Sequence, residues 1–329
     1  MKRVALPMTT LATVVVLAAA AGSLFLGRVN ISPQQILDGL FSSDLNLARL
    51  VVVELRLPRT VLAILVGAAL GLSGAVLQGL LRNPLAEPGL LGVSSGAALG
   101  AVVSIYFSLS AAFALATPLL ALVGALGAGL LTFALGRGGT LSLILAGSAV
   151  SGLMAAFLAM ALNFAPNPYA GFEMSIWMLG SLSQKSWDHV LLAGPFILAG
   201  LGVLALQGRA IDALALGEQQ AESLGVDLDR ARMLALVGVG LAVGAATSVT
   251  GSVGFVGLIA PHLVRPFVGY QPSRTLLPSA LFGAALLLLA DIGTRVLHTS
   301  SELRLGVITS LIGTPFFFWL VVRLRRLAP

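Results

Sequence analysis

Apolar stretches of about twenty residues follow one another along almost the whole chain. The first, from Val4 to Leu26, would rise about 1.5 Å per residue as a helix and cross a hydrocarbon core about 30 Å thick. It exceeds the apolar core of a cleaved signal peptide, about 7 to 15 residues, so we expect it to be retained. Charged residues are 10% of the 329 positions, against about 25% in a soluble domain. These charges are too few to cover a water-facing surface, so an all-α polytopic fold surrounded by membrane lipid is expected.

Windows of about twenty apolar residues predict nine transmembrane spans and a weaker tenth. The nine lie at 4–26, 57–81, 91–108, 112–135, 141–163, 190–207, 232–250, 275–296 and 305–322. The tenth candidate, 253–268, is short and interrupted by glycine, and 91–108 is also weak, so either can be re-entrant. No internal repeat or polar linker divides the chain. Residues 1–329 are therefore predicted to form a single transmembrane domain with two outer loops, 28–56 and 164–189.

Basic residues predict the orientation through the positive-inside rule. With both termini in the cytoplasm, 12 of the 19 Lys and Arg residues fall on the inner side. The remaining seven, on the outer side, are Arg28, Arg49, Arg56, Arg59, Lys185, Arg295 and Arg304. The basic residues lie in short loops without interleaved aromatic residues, so nucleic acid is not an expected partner.

The chain lacks residues that several classes of function usually require. The centres of the predicted spans carry no ionisable residue, whereas ion-coupled carriers usually need them there. Lys2 and Lys185 are the only lysines and neither lies in a phosphate-binding loop; an HExxH motif and cysteine are also absent. A membrane enzyme and a metal site in this chain are therefore disfavoured. Transport driven by a separate chain fits better, with an ion-coupled carrier and a membrane scaffold as alternatives.

Residues 209–232 form a charged segment that contains eight of the chain's 32 Lys, Arg, Asp and Glu residues. Gly217 and Gly225 are predicted to divide it into two short helices. The stretch 218–224 would place Ala221 and Leu224 on one face, and such a helix can dock into a groove of a soluble partner. The alternative is a solvated loop that only links two spans.

Three arginines and a carboxylate mark the predicted outer side. Arg56 and Arg59 stand at the start of the second span, and Arg295 lies near the end of the eighth, one turn after Asp291. Asp291 and Arg295 can pair on one helix face. An outer rim of fixed positive charge can capture a partner that carries carboxylates. Anchoring of these side chains to lipid headgroups is the alternative.

Three segments together resemble the permease subunits of ABC importers for cobalamin, ferric siderophores and haem. They are RLPRTVLAILVGAALGLSGAVLQGLLRNPLAEPGLLGVSSGA, LALGEQQAESLGV and GFVGLIAPHLVRP, in the family's order and spacing. The resemblance extends over about 52–319. It implies a homodimer of ten-helix subunits in the bacterial inner membrane, with the translocation path between the copies. Each copy would dock a cytoplasmic ATPase that binds ATP and Mg²⁺, a periplasmic binding protein would cap the outer mouth, and this chain would bind no cofactor.

The resemblance also implies roles for particular residues. ATPase coupling would fall on Leu216, Gly217, Glu218, Ala221, Leu224 and Gly225. Binding-protein docking would fall on Arg56, Arg59 and Arg295. Gating would fall on Asn83, Leu85 and the segment from Thr140 to Ser142, although this last segment matches the family less closely. The fifth span, 141–163, would line the path.

A stripe of side chains on the fifth span bears on the class of substrate. Met154, Phe157, Met160 and Phe164 recur at steps of three or four residues and therefore share a helix face. If that face lines the path, it suits a large, flat, apolar chelate. Haem is then favoured over ferric siderophore and cobalamin. A stripe that faces lipid or the protein core is the alternative.

Overall fold

The structure is a computed structural model that describes residues 2–27, 29, 31–41, 46–297 and 303–325, and these are all-helical. Arg28, one of the seven predicted outer basic residues, lies outside this part. The helices are α1 (Lys2–Phe25), α2 (Pro33–Phe41), α3 (Leu47–Arg49), α4 (Leu57–Leu80), α5 (Val93–Tyr106), α6 (Leu109–Ala112), α7 (Ala116–Leu135), α8 (Thr140–Asn163), α9 (Pro168–Met178), α10 (Trp187–Ala205), α11 (Gly208–Leu214), α12 (Glu218–Ser223), α13 (Leu228–Thr250), α14 (Val256–Val264), α15 (Pro272–Val296) and α16 (Leu305–Arg325). A π-helical turn, Leu50–Arg56, joins α3 to α4, and 3₁₀ turns occupy Pro88–Leu91 and Arg265–Val268.

Eight helices in the described ranges are long and apolar enough to cross a membrane. They correspond to eight of the predicted spans, and the two weak predictions correspond to the shorter apolar helices Val93–Tyr106 and Val256–Val268. At 14 residues, α5 is about 21 Å long and therefore shorter than a hydrocarbon core of about 30 Å. The ten apolar segments are thus confirmed, and two of them are too short to span as straight helices.

The predicted outer loops contain more helix than expected. The second membrane helix, α4, begins at Leu57 as predicted. The α3 helix and the π-helical turn extend the continuous helical stretch back to Leu47, for 34 residues in all. Arg49, Glu54 and Arg56 had lowered the hydropathy of this stretch without breaking its helix. The first outer loop contains α2. The second loop contains α9, which the sequence reading missed and which Asn167 caps by accepting the Ala170 N–H at 2.8 Å.

At the centre of the bundle, α4 packs against α10, α13, α14 and α15. Glycines allow its backbone to approach its neighbours closely. A Cβ on Gly67 would lie 2.4 Å from the Gly283 carbonyl oxygen, and one on Gly74 would lie 1.8 Å from that of Gly257. Lipid chains are as apolar as leucine, so packing contacts of this kind, rather than water exclusion, hold membrane helices together. The glycines of α4 therefore serve packing within the subunit.

At the edge of the bundle, α8 packs on α5, α7 and the 3₁₀ turn at Pro88–Leu91. Gly147 allows this approach, because a Cβ there would lie 2.1 Å from the Leu90 carbonyl oxygen. The opposite face of α8 has no neighbour among the described residues of this chain. That uncovered face carries the small residues Ser148, Gly152 and Ala159.

Candidate functional site

The charged segment forms two short helices, as predicted. Gly217 separates α11 from α12 with φ 118° and ψ 158°, a backbone conformation that residues with a side chain rarely adopt. Gly225, with φ 81°, ends α12 in the same way. Glycine is needed at both breaks, so the segment has a defined shape and is not an irregular link.

The prediction that Ala221 and Leu224 share an exposed apolar face of α12 is wrong for Ala221. Ala221 is fully buried against the subunit, so it anchors α12 and offers no surface to a partner. The apolar side chains that project outward are Leu216 and Leu224, which are 64% and 65% exposed. They lie at the two ends of α12, and between them the helix exposes polar residues.

Glu218, the first residue of α12, links three helices. Its Oε1 accepts a hydrogen bond of 2.7 Å from Thr140 Oγ1, and Thr140 is the first residue of α8. Its Oε2 lies 3.0 Å from an Arg232 guanidinium nitrogen in the first turns of α13. The pKa of Glu218 is lowered mainly because the Thr140 hydroxyl donates to it; Arg232 lowers it further, and partial burial opposes both. A charged carboxylate therefore connects the segment predicted for coupling to one predicted for gating.

The predicted gating residues lie in two separate local turns. Asn83 Oδ1 accepts the Leu85 N–H at 2.9 Å, and Leu85 packs beside Phe255 and residues of α14 and α16. Ser142 Oγ donates to the Arg137 carbonyl oxygen at 3.2 Å and closes the turn before α8. Each turn fixes a helix connection at the end of the bundle that carries α12.

The stripe on α8 lies largely on the surface of the subunit. Phe157, Met160 and Phe164 are 41%, 53% and 64% exposed, and Met154 is partly buried. The helix packs inward through other residues, which are Leu143, Ala146, Gly147, Val150 and Leu158. The stripe is therefore not part of the core, and that alternative is excluded. The single chain does not distinguish lipid from a translocation path.

At the opposite end of the bundle, the prediction that the arginines form an exposed rim is wrong, because their side chains are largely buried. Arg56 is 5% exposed and donates to the Leu24 carbonyl oxygen at 2.7 Å and to that of Phe25 at 3.1 Å. It also donates to the Val29 carbonyl oxygen. The guanidinium satisfies carbonyl groups that the end of α1 leaves without intrahelical partners. Arg56 therefore fastens α1 to the start of α4.

Asp291 is the centre of a buried cluster at this end and is fully inaccessible to solvent. Arg59 Nε donates to both of its oxygens, at 2.9 and 3.1 Å, and Arg295 Nη2 donates to Oδ2. The predicted Asp291–Arg295 pair is thus confirmed. Arg295 also bonds to the Ser23 carbonyl oxygen at 2.9 Å and to Ser23 Oγ at 2.6 Å, so the cluster joins α1, α4 and α15.

A cavity of about 280 Å³ opens beside this cluster. Parts of Arg56, Arg59 and Arg295 line it together with Lys185, which the sequence reading did not include in the docking set. Burial lowers the pKa of Lys185 to about 8. Lys185 was one of only two lysines and lay in the predicted outer loop 164–189, but nothing in the sequence indicated that it would face the arginines.

Residues 13–323 match the FecCD transport family. The chain belongs to this family. It is 41% identical to the hemin transport system permease protein of Yersinia pestis, with 83% of this chain and 84% of the relative covered. It is 39% identical to the vitamin B12 import system permease protein of Vibrio vulnificus, with 94% and 92% covered. A probable iron chelatin transport system permease protein of Helicobacter pylori is 40% identical, with 87% and 86% covered.

The fold has a close counterpart among solved structures. A metal-chelate type ABC transporter in an inward-facing conformation superposes with a TM-score of 0.86 at 31% identity, covering 96% of this chain and 99% of that one. These comparisons confirm that this FecCD chain is a multi-pass transport permease of the ABC importer class and not an enzyme. Such permeases work with an ATPase and a substrate-binding protein. Within the described ranges, no group of three or more His, Asp and Glu side chains could hold a metal ion.

Proposed function

We propose that this FecCD chain is the inner-membrane permease subunit of an ATP-driven importer for an iron-containing chelate, with haem as the favoured substrate. The match to ABC importer permeases over residues 13–323 carries the proposal. The identities to the hemin, iron chelatin and vitamin B12 relatives, 41%, 40% and 39%, do not separate these substrates. Haem is favoured because Phe157, Met160 and Phe164 on α8 are suited to a large, flat, apolar ligand. Ferric siderophore or cobalamin import by the same mechanism is the alternative.

The working unit in this proposal is a homodimer with the path between the two copies. The uncovered face of α8 supports this arrangement. Small residues let membrane helices approach closely, and Ser148, Gly152 and Ala159 are exposed on this face. Nothing lies within 4 Å of a Cβ built on Gly152, so a second subunit has room to approach. A cytoplasmic location of both termini is part of this proposal, and the excess of basic residues on that side supports it.

The ATPase, which would bind ATP and Mg²⁺, docks in this proposal on the segment from Leu216 to Gly225. A groove on the ATPase that receives Leu216 and Leu224 would remove two exposed apolar side chains from water. The matched control for this surface is Asp229→Asn, because Asp229 is also exposed and lies just outside the segment. Replacing residues 218–224 by a Gly/Ser linker should abolish co-purification with the partner ATPase. Retained co-purification would contradict the coupling assignment.

The binding protein docks in this proposal at the cavity beside the Asp291 cluster. A carboxylate on the partner would be drawn to the positive charge of Arg56, Arg59, Arg295 and Lys185. Reversing Arg56 and Arg59 to Glu should weaken capture, but the same change also removes bonds that hold α1. Lys185→Glu reverses a charge on the cavity wall without breaking a bond to Asp291. It should weaken capture at low salt while ATPase association stays intact.

Transport itself tests the proposal as a whole. Proteoliposomes that contain this chain, the ATPase and the binding protein should accumulate haem only when ATP is supplied. Ferric siderophore and cobalamin, offered in parallel, decide between the substrate classes. An ion-coupled carrier, the remote alternative, would move substrate with this chain alone in vesicles with an ion gradient. Uptake under that condition, without nucleotide, would overturn the proposal.

A further inference from the structure

We propose that Glu218 is a positioning residue that transmits movement of α12 to α8 through its bond to Thr140. This inference rests on the proposed function, because it assumes that α12 meets the ATPase and that α8 borders the path. It adds a specific mechanical connection between those two regions.

The carboxylate of Glu218 is held from two sides. Thr140 Oγ1 donates to Oε1 at 2.7 Å, and the Arg232 guanidinium contacts Oε2 at 3.0 Å. One oxygen thus faces α8 and the other faces α13. A displacement of α12 must therefore either carry the start of α8 with it or break the bond to Thr140.

The start of α8 follows a glycine turn that the Ser142–Arg137 hydrogen bond closes. Gly138 and Gly139 precede Thr140 with φ 119° and φ 122°, conformations open to glycine. A Cβ built on Gly139 would meet nothing within 4 Å, and one on Gly138 would meet only Ser142 Cβ at 4.0 Å. Leu141 is 70% exposed. The Glu218–Thr140 hydrogen bond is the side-chain contact that ties the exposed start of α8 to α12.

The charge of Glu218 also suits this place. The first turn of a helix leaves N–H groups without intrahelical acceptors and carries the positive end of the helix dipole. Glu218 contacts the first residue of α8 and is itself the first residue of α12. A carboxylate is favoured at both positions, whereas a neutral amide would be less so.

On α12, the anchor and the exposed residues are distinct. Ala221 is fully buried against the subunit, while Leu216 and Leu224 project outward. A partner that grips Leu216 and Leu224 would move α12 as a unit, because the helix is only six residues long. Glu218 is the residue of that unit that contacts α8.

The experiment measures ATP hydrolysis and haem uptake in proteoliposomes that contain the chain, the ATPase and the binding protein. Thr140→Val, which lies outside the docking segment, should leave ATPase co-purification and hydrolysis near the wild-type level. Both Glu218→Gln and Thr140→Val should lower uptake per ATP by about fivefold or more, the low end of typical coupling free energies. The double variant should be no worse than either single variant, since both changes break one bond. Thr140→Ser retains the hydroxyl and should restore uptake. Asp229→Asn is the matched control, because Asp229 is exposed, lies outside the docking segment and also contacts Arg232.

Each outcome separates the inference from the proposed function. If the wild-type chain shows no ATPase association or no ATP-dependent uptake, the proposed function fails. If the wild type transports haem and uptake per ATP is unchanged in Glu218→Gln and Thr140→Val, the positioning role is wrong. Additive losses in the double variant, or loss of ATPase association in Thr140→Val, would also overturn it. The thermal unfolding midpoint of each variant shows whether it is folded.

Discussion

Two carboxylates, one at each end of the bundle, use similar partners at very different depths. Asp291 is fully buried and contacts Arg59 and Arg295. Glu218 is 39% exposed and contacts Arg232 and Thr140. Each cluster joins three helices, yet the first lies where water cannot replace a lost partner and the second lies where it can. The Asp291 cluster therefore suits a fixed joint, and the Glu218 cluster suits a movable one.

The energies expected for the two clusters differ accordingly. Removing one partner from a buried ion pair costs about 3–5 kcal/mol, because the other charge is left without compensation. An exposed pair contributes about 0.2–1 kcal/mol, because water screens it and solvates the separated charges. Movement at the Glu218 end therefore costs little, whereas α1, α4 and α15 stay together at the other end.

The largest effect is expected for Asp291→Asn. The variant keeps the shape of the side chain and removes its charge, so Arg59 and Arg295 lose their ionic partner in a buried site. The free energy of unfolding in detergent should fall by about 3–5 kcal/mol. Asp229→Asn is the control, since Asp229 is 93% exposed and also contacts an arginine, Arg232. A thermal unfolding midpoint equal in both variants would remove the contrast between the two ends.

Ser23→Ala should have the next largest effect. Ser23 Oγ accepts from Arg295 Nη2 at 2.6 Å and lies 2.7 Å from Thr60 Oγ1, so its loss leaves buried polar atoms without this partner. Such a loss costs about 1–3 kcal/mol. Ser175→Ala is the control, because Ser175 is exposed and bonds only within its own helix, to the Gly171 carbonyl oxygen. The unfolding midpoint, compared with that of the Asp291 variant, should show a smaller decrease.

The ten apolar segments could be predicted from the sequence because the length of an apolar run is a local property. The Asp291–Arg295 pair could be predicted for the same reason, since residues four apart on a helix are neighbours. The breaks at Gly217 and Gly225 were also local. These features depend on a few consecutive residues and on the geometry of a single helix.

The rest depended on which helices become neighbours. Arg59 and Asp291 are 232 positions apart, and Thr140 and Glu218 are 78 apart, so no sequence spacing indicated either contact. The burial of Ala221 depends on the subunit surface beneath α12, and that of Arg56 on the end of α1. Arginines at the mouth of a span predicted an exposed rim, whereas the carbonyl groups of α1 made burial favourable. Lys185 lines the cavity for the same reason, since its position also depends on which helices become neighbours.

Glu218→Gln should change stability by less than about 1 kcal/mol, as expected for an exposed pair. The dependence on pH gives a sharper test. The folded-state pKa of Glu218 is lowered from its ordinary value of 4.5, first by the Thr140 hydroxyl and then by Arg232 and Arg82. Its contribution is therefore complete above pH 4.5 and is lost as the pH falls through the lowered value. The difference in unfolding midpoint between wild type and Glu218→Gln should be constant from pH 7 to about pH 5 and should shrink below that. A difference that shrinks already between pH 7 and pH 6 would contradict the assigned cause.

The smallest effect is expected at Lys185, on the wall of the cavity beside the buried cluster. Burial lowers its pKa from 10.5 to about 8; Arg56, Arg59 and Arg295 line the same cavity, while Glu173 and Arg304 share the neighbouring one with it. Folding of the charged form is disfavoured below pH 8, and this cost is relieved as the pH rises from 8 towards 10.5. The affinity for an acidic binding protein should instead decrease as the pH rises, because Lys185 loses its charge. The decrease between pH 7 and pH 9 should be less than about fivefold, as for an exposed ion pair. Lys185→Met should already show the weaker capture at pH 7 and lose this part of the pH dependence. Binding at each pH, measured at one fixed low salt concentration, tests it, and an identical pH profile in the variant would show that Lys185 takes no part in docking.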